Sequence, residues 1–188
     1  MGQYYKAIVK ERNKKTWMSF DAWTFNNGAK LMEHSYVKNP MVLYIKNMLL
    51  DYPMRVVWGG DYADNENGKD TNLYCLAKEQ QVLTTNGMES LYEILKEKEA
   101  NSVFRYLVND SKKLFVDYSK IEPDEYGYRI DPLPLLCAEG NGQGGGDYFG
   151  TNMELVGTWA RDFIWVTKDN PAEYGYKEIV PDFKETYE

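Results

Sequence analysis

The segment from position 39 to position 51 reads N-P-M-V-L-Y-I-K-N-M-L-L-D and predicts an amphipathic helix. Asn39 is a residue type that favours the N-cap position, and Pro40 suits the first helical position. Five apolar residues follow at helical spacing and form one stripe: Met41, Val42, Ile45, Met48 and Leu49. We therefore expect this stripe to pack into the core, and we expect Pro53 to end the helix.

Strand patterns lie on both sides of this helix. Residues 4–11 alternate between apolar and polar side chains, residues 12–15 form a polar turn, and residues 16–22 can return as a second strand. Residues 54–58 form a short apolar strand. Further along, the sequence predicts one hairpin around residues 109–112 and another around residues 160–162.

Three remaining segments complete the predicted order of elements. Residues 73–77 and residues 133–138 have the short apolar pattern of strands. Asn86 and Glu89 resemble a helix cap, and the apolar residues of a second amphipathic helix follow at helical spacing: Met88, Leu91, Ile94 and Leu95. Hairpins interrupted by two helices predict a single α+β domain over residues 1–188, with a mostly antiparallel sheet and both helices packed on it.

Composition and charge favour some partners over others. The chain has 188 residues and a net charge of −7, and it contains 16 tyrosines. Bases cluster in residues 1–15, whereas acids cluster in residues 117–154. This distribution argues against a broad nucleic-acid groove, which needs clustered Lys and Arg. An acidic, tyrosine-rich surface instead predicts a protein partner with a basic surface, and a plain solvated face is the alternative.

The sequence also predicts a cytoplasmic chain without membrane contact. The start lacks an apolar signal core, and the longest apolar run covers only residues 41–45. Cys75 and Cys137 offer no disulfide framework, so we expect both thiols to be reduced and buried. The sequence gives no indication of the oligomeric state.

Residues 137–150 read C-A-E-G-N-G-Q-G-G-G-D-Y-F-G and contain six glycines between and beside two acids. Gly140, Gly142 and Gly145 match G-x-G-x-x-G, but the residues after them are poor helix formers, so a dinucleotide site is not expected. A phosphate-binding P-loop would need Lys-Ser or Lys-Thr after the glycines. We expect no cofactor, and we expect an ordered loop that brings Glu139 and Asp147 together.

A second glycine–acid segment, W-G-G-D-Y-A-D-N-E-N-G-K-D, covers residues 58–70. An EF-hand register fails because Ala63 and Tyr74 stand at two ligand positions. A looser cation site made of Asp61, Asp64 and Glu66 stays open as an alternative, but we expect no resident metal ion.

His34 is the one histidine of the chain. With Glu33 it could supply acid–base groups if the fold brought it to Glu139 or Asp147. A structural histidine is the alternative. We place His34 and Ser35 on a strand, where neighbouring side chains point to opposite faces, which argues against a Ser–His pair.

Several segments resemble a group of uncharacterised bacterial and phage-associated proteins. They are M-G-Q-Y-Y-K at the start, G-A-K-L-M-E-H-S at 28–35, G-D-Y-A-D at 60–64, D-P-L-P-L-L-C-A-E-G-N-G-Q-G-G-G-D-Y-F-G-T-N at 131–152 and L-V-G-T-W-A-R-D at 155–162. Ala29, Gln143 and Thr158 stand at positions where the relatives vary. The resemblance implies a shared fold and a shared site, and it implies no particular reaction.

The predicted site gathers polar residues and glycines of these segments. Its candidate catalytic residues are Glu33, His34, Glu139 and Asp147. Its candidate binding residues are Asp61, Tyr62, Asp64, Asn141, Gly144, Gly145, Gly146, Tyr148, Arg161 and Asp162. We expect Arg161 to pair with a carboxylate of the glycine loop, because two nearby carboxylates repel each other unless a cation or N–H donors lie between them.

Two functions fit this site. The first is a binding or inhibitory protein of phage origin, such as an anti-CRISPR-like counter-defence factor that masks a basic surface of a nucleic-acid-handling enzyme. The alternative is a small hydrolase or transferase that works through the carboxylates of the glycine loop. The sequence contains no evident nucleophile–base pair, so the first function is favoured, and whether the protein is an enzyme stays open.

Overall fold

A nine-stranded sheet organises the part of the chain that the computed structural model describes, residues 1–82 and 87–186. In chain order its strands are β1 Tyr5–Glu11, β2 Met18–Asp21, β3 Met54–Gly60, β4 Lys78–Glu79, β5 Tyr106–Asn109, β6 Leu114–Asp117, β7 Ala138–Glu139, β8 Phe163–Thr167 and β9 Lys177–Glu178. The hydrogen-bonded order is β4-β2-β1-β3-β8-β5-β6-β9, and β7 pairs with β3 outside this path. The five ladders that join β1, β2, β3, β5, β6 and β8 are antiparallel, and the two-residue strands β4, β7 and β9 pair in parallel. The predicted α+β class is therefore confirmed.

Five α-helices accompany the sheet in the described ranges. They are α1 Leu31–His34, α2 Pro40–Met48, α3 Leu73–Leu76, α4 Gly87–Ala100 and α5 Pro132–Leu136. Helix α2 confirms the first prediction from the sequence, because Asn39 Oδ1 accepts the backbone N–H of Met41 at 3.0 Å and Pro40 opens the helix. Helix α4 confirms the second predicted helix. The proposed cap at Asn86 lies outside the described residues.

The two faces of the sheet have different coverings. The inner face carries the main core, whose strand residues include Tyr5, Ala7, Val9, Val56, Trp58, Ile164 and Val166. Ile45 of α2 belongs to this core and is 0% exposed, whereas Met48 is only partly buried. The outer face carries a smaller cluster of Ile8, Val57 and Leu73, where α3 covers part of the sheet. The inner face therefore supplies most of the buried apolar surface.

A buried ion pair lies within the main core. Lys46 of α2 and Asp131 are both 0% exposed in their side chains, and Nζ lies 2.7 Å from Asp131 Oδ2. The ammonium also lies 3.6 Å from the ring centroid of Tyr118, whose hydroxyl donates to Asp131 Oδ1 at 2.8 Å. Separating α2 from the start of α5 would leave both charges buried without a partner, which is costly. The ion pair therefore holds these two helices together.

Two predicted strands are wrong, because both segments are short capped helices. Residues 73–77 contain α3, where Asn72 Oδ1 accepts the N–H of Cys75 at 3.3 Å. Residues 133–138 contain most of α5, where Asp131 Oδ1 accepts the N–H of Leu133 at 2.9 Å. Every residue of α5 is buried, so its sequence shows no polar face and has the apolar pattern of a buried strand.

Three smaller expectations also need correction. Residues 160–162 do not join two paired strands, because β8 pairs with β3 and β5 and residues 153–155 form a 3₁₀ turn. His34 ends helix α1 and does not lie on a strand. Cys75 is exposed, whereas Cys137 is buried as expected. No helix within residues 1–82 and 87–186 is long and apolar enough to cross a membrane.

The substitution Ile45→Ala tests the packing of α2 against the sheet. Truncating a fully buried isoleucine should lower the free energy of unfolding by roughly 2–5 kcal/mol, because it removes apolar contacts and leaves a cavity. Urea unfolding followed by circular dichroism measures this loss. Ile94→Ala is the matched control, because Ile94 is 55% exposed on α4, and it should change stability by less than about 0.5 kcal/mol. Equal effects of the two substitutions would contradict the packing.

Candidate functional site

The Asp147 carboxylate holds the glycine-rich loop together. Its Oδ2 accepts the backbone N–H groups of Gly142, Gln143 and Gly144 at 2.7, 2.9 and 3.0 Å. Its Oδ1 accepts the hydroxyl of Tyr5 at 3.0 Å. Successive N–H groups that point into one concavity form an anion-binding nest. The loop is thus ordered around an anion that the loop itself supplies.

Gln3 links this nest to the rest of the site. Its side chain is 0% exposed, and Nε2 lies 2.8 Å from Asp147 Oδ2 and 2.7 Å from the carbonyl oxygen of Gly140. Its Oε1 accepts the backbone N–H of Tyr62 at 3.2 Å. One buried amide therefore fastens the N-terminal segment, the glycine loop and the turn at residues 60–64 to one another. Composition and spacing did not single out Gln3, although it belongs to the M-G-Q-Y-Y-K motif.

The glycines allow this close approach of three segments. A Cβ atom at Gly144 would lie 2.4 Å from the Cβ of Gln3 and 2.9 Å from its backbone nitrogen. At Gly140 the backbone has φ of +98°, and a Cβ there would lie 3.2 Å from Ala63. Both positions require glycine because another backbone passes where a side chain would stand. At Gly140 and Gly144 the need for glycine therefore follows from the segments packed against the loop.

Arg161 forms a second centre beside the loop. Its Nε donates to Glu139 Oε1 at 2.6 Å, and Nη2 donates to Glu139 Oε2 at 3.0 Å. Its Nη1 donates to Glu66 Oε2 at 3.0 Å, and Nη2 also donates to Glu66 Oε1. The hydrogen bonds that Arg161 donates lower the pKa of Glu66, and the carboxylates of Glu66 and Glu139 that accept them raise the pKa of Arg161. The guanidinium occupies the place between carboxylates that a bound cation would take.

His34 is a core residue. It is 0% exposed, its Nδ1 lies 3.0 Å from the carbonyl oxygen of Gly28, and its Nε2 accepts the indole N–H of Trp58 at 2.9 Å. This pattern requires a neutral ring with the proton on Nδ1. Burial lowers the pKa of His34 to about 4, although the Gly28 carbonyl and Glu33 act in the opposite direction. Both ring nitrogens are occupied, which suits a structural histidine.

The turn at residues 60–64 is fixed by backbone contacts. Asp61 Oδ1 accepts the N–H of Tyr4 at 3.0 Å, and the N–H of Asp61 donates to the carbonyl of Tyr4 at 2.9 Å. The side chain of Asn72, which is 6% exposed, donates to the carbonyls of Asp61 and Ala63 at 2.9 and 3.0 Å. The turn therefore lies rigidly against the N-terminal segment and the glycine loop.

Several predicted binding residues serve the loop's own structure. Asn141 exchanges hydrogen bonds with the backbone of Tyr148, whose side chain is 1% exposed. Gly145 forms a bridge with Gly2, and the carbonyl of Gly146 accepts the N–H of Met32. These contacts anchor both ends of the loop to neighbouring segments.

Two predicted acids lie outside this arrangement. Asp162 Oδ2 accepts from the side chains of Asn109 and Lys112, away from the nest. Glu33 Oε2 accepts the N–H of Lys30 at 3.0 Å at the start of α1. The structure thus brings Glu139, Asp147, Arg161 and the turn to one region, and the catalytic assignments of Glu33, His34, Glu139 and Asp147 stay predictions.

Exposed aromatic rings border the turn. Trp23 is 61% exposed, Tyr4 40% and Tyr62 37%, and the ring centroids of Tyr4 and Trp23 lie 5.9 Å apart. Together with the acids of the turn they form the acid–aromatic patch, which consists of Tyr4, Trp23, Asp61, Tyr62 and Asp64. The patch rests on the framework of Gln3, Asn72 and the glycine loop.

Substituting Asp147 by asparagine should destabilise the loop. Asparagine replaces one acceptor oxygen by an NH₂ group that faces the N–H groups of residues 142–144, so the free energy of unfolding should fall by about 1–3 kcal/mol. Asp64→Asn is the control, because Asp64 is exposed in the neighbouring turn. A melting temperature of Asp147→Asn equal to that of the control would show that the nest does not hold the loop.

The single histidine offers a direct test of the core geometry. Proton–nitrogen NMR should show the neutral tautomer with the proton on Nδ1, with no titration near the ordinary pKa of about 6.5 and a midpoint at about 4. As the pH falls, the unfolded chain binds this proton at about pH 6.5, before the folded protein does. Protonation of the histidine therefore lowers the free energy of unfolding from about pH 6.5 down to about pH 4, where the folded form is also protonated. A midpoint near 6.5 in the folded protein would contradict the buried position.

No group of three His, Cys, Asp or Glu side chains among residues 1–82 and 87–186 is placed to hold a metal ion. Comparison of the chain with protein-family models, with curated proteins and with solved structures gives no match.

Proposed function

We propose that the protein is a binding protein whose acid–aromatic patch contacts a basic surface of another protein. The observation that carries this proposal is that the exposed rings of Tyr4, Trp23 and Tyr62 lie next to the acids of the turn at residues 60–64. Buried Gln3 holds this turn in place through a hydrogen bond to the backbone of Tyr62. Exposed aromatic residues that adjoin one another are typical of interaction surfaces.

The chemistry of the patch suits a partner rich in Lys and Arg. Tyrosine and tryptophan supply large contact areas at low entropic cost, and they are enriched among the residues that dominate binding energies. Their ring faces also attract cations, and neighbouring carboxylates complement a basic surface and speed the encounter. Because Gln3 and Asn72 hold the turn in place, little further ordering is needed on binding.

The same geometry weighs against the alternative, a hydrolase or transferase that uses the carboxylates of the loop. A general base needs a lone pair that is free to reach the substrate's proton. Asp147 faces five donor groups, from Gln3, Tyr5 and the backbone of residues 142–144, and Glu139 is held by Arg161. A substrate could use these carboxylates as bases only after the hydrogen bonds that hold the loop were broken.

An inhibitory role is the more specific form of the proposal. The resemblance of the M-G-Q-Y-Y-K, G-D-Y-A-D and glycine-loop segments to phage-associated proteins supports a counter-defence factor of the anti-CRISPR-like kind. In that role the patch would cover the nucleic-acid-binding surface of a host enzyme, which is basic by necessity. A cytoplasmic setting is proposed, since both cysteines are free thiols.

The proposal predicts which substitutions abolish binding. Immobilised protein should retain a specific bacterial protein, and Trp23→Ala and Asp64→Lys should each reduce that retention at least tenfold because they remove a ring and reverse a charge in the patch. Quantitative mass spectrometry of the retained proteins measures this.

Tyr174→Ala is the matched control, because Tyr174 is 71% exposed and lies outside the patch. It should leave retention unchanged. If the patch variants retained the same proteins as the parent chain, or if the control lost them equally, the patch would not be the binding surface.

A further inference from the structure

Cations lie between aromatic rings on the outer face of the sheet. Lys10 of β1 stands directly opposite Arg55 of β3, and Arg55 stands opposite Phe163 of β8. On the other side of β1, Lys10 Nζ lies 5.0 Å from the ring centroid of Trp17. Arg12, in the turn after β1, completes this cation–aromatic row of Trp17, Lys10, Arg55, Phe163 and Arg12.

The row places like charges next to each other. Directly opposed residues of like charge destabilise a sheet unless other contacts compensate. Here the rings supply that compensation, since the guanidinium carbons of Arg12 and Arg55 lie 4.1 and 4.2 Å from the ring centroid of Phe163. A guanidinium stacked on a ring keeps N–H groups at its edge for an anion. Arg55 uses one such group on the carbonyl of Arg161, and Arg12 lies 3.6 Å from Asp110.

Further cations lie in the turn after β1 and on β4. Lys14, Lys15 and Lys78 line a groove of about 290 Å³ together with Glu11 and Met18. Met18 stands opposite Val9 of the main core and opposite Lys78, so the strand residues of this groove lie on the inner side of the sheet and the groove is not part of the row. Within the described residues, no carboxylate lies within 4 Å of the ammonium groups of Lys10, Lys14, Lys15 or Lys78. A chain with a net charge of −7 therefore carries a locally basic surface whose charges are mostly unneutralised.

We propose that the cation–aromatic row binds single-stranded nucleic acid. Phosphate groups match the free N–H edges of stacked arginines and the ammonium group of Lys10. Aromatic and guanidinium planes offer stacking positions for unpaired bases, a combination that is typical of sequence-tolerant single-strand binding. An acidic protein segment would satisfy the charges but has no planar base that could stack on the guanidinium planes.

This surface is separate from the acid–aromatic patch. Tyr4 lies before the start of β1, and Lys10 lies near its end, six residues further on, which corresponds to about 20 Å along a strand. The distribution of charge along the sequence argued against a nucleic-acid groove. The strand register changes this expectation locally, because it places Lys10 of β1 opposite Arg55 of β3, and Arg12 of the turn after β1 shares the ring of Phe163 with Arg55.

Fluorescence anisotropy with a labelled oligothymidylate of about 15 nucleotides tests the proposal, at salt concentrations from about 50 to 300 mM. The affinity of the parent chain should fall as salt rises, with a slope of about −0.7 per phosphate contact on a logarithmic plot. The double substitution Lys10→Gln/Arg12→Gln removes two cations without removing a buried side chain. It should weaken binding at least tenfold at low salt and reduce the magnitude of the slope by about 1.4.

Lys69→Gln/Lys168→Gln is the matched control, since it removes the same charge from exposed positions outside the row. It should leave the slope unchanged, and circular dichroism should show both double variants folded. The proposal is overturned if the parent chain does not bind the oligonucleotide, if both double variants lose the same affinity, or if unlabelled polyglutamate of equal length competes as well as unlabelled oligothymidylate. None of these results bears on the acid–aromatic patch.

Discussion

The hydrogen bonds to Asp147 are the constraint on which the site depends. A loop with so many glycines has a large entropy to lose on folding, and its backbone N–H groups need acceptors. One carboxylate oxygen meets three of these N–H groups, and the other meets the hydroxyl of Tyr5. Burial and the nearby Asp147 raise the pKa of Tyr5, so this hydroxyl stays a donor. In other proteins such a nest binds an external anion, whereas here it is filled from within.

This internal occupation determines how the surface can be used. Because the nest, Glu139 and His34 all have partners within the fold, the region acts as a rigid support for the side chains in front of it. The exposed rings of Tyr4 and Trp23 are attached to that support. Beyond the other end of β1 the outer face is basic.

Elements with a clear pattern of apolar and polar residues could be predicted from the sequence. Helix α2 and strand β1 have polar residues at regular spacing among apolar ones, and the β5–β6 hairpin has two apolar runs around a polar turn, so their sequence patterns match their structures. Helix α5 was predicted wrongly because it is buried on every side and shows no such contrast. Within the site, Glu139, Asp147 and Arg161 were identified as members of one cluster, whereas Gln3, Tyr5 and Asn72 were not, since a buried amide or hydroxyl has no distinctive sequence pattern.

By itself the sequence determined the local structure and the chemical types of side chain available, because capping, periodicity and glycine conformation depend on neighbours within a few positions. Only the tertiary structure decided which donor meets which acceptor. Gln3 and Asp147 are separated by 144 positions, and Lys10 meets Arg55 through the register of two strands. A carboxylate can be a catalytic base, a metal ligand or the centre of a nest. Which of these roles it has depends on the donors that tertiary packing brings within about 3 Å of its oxygens.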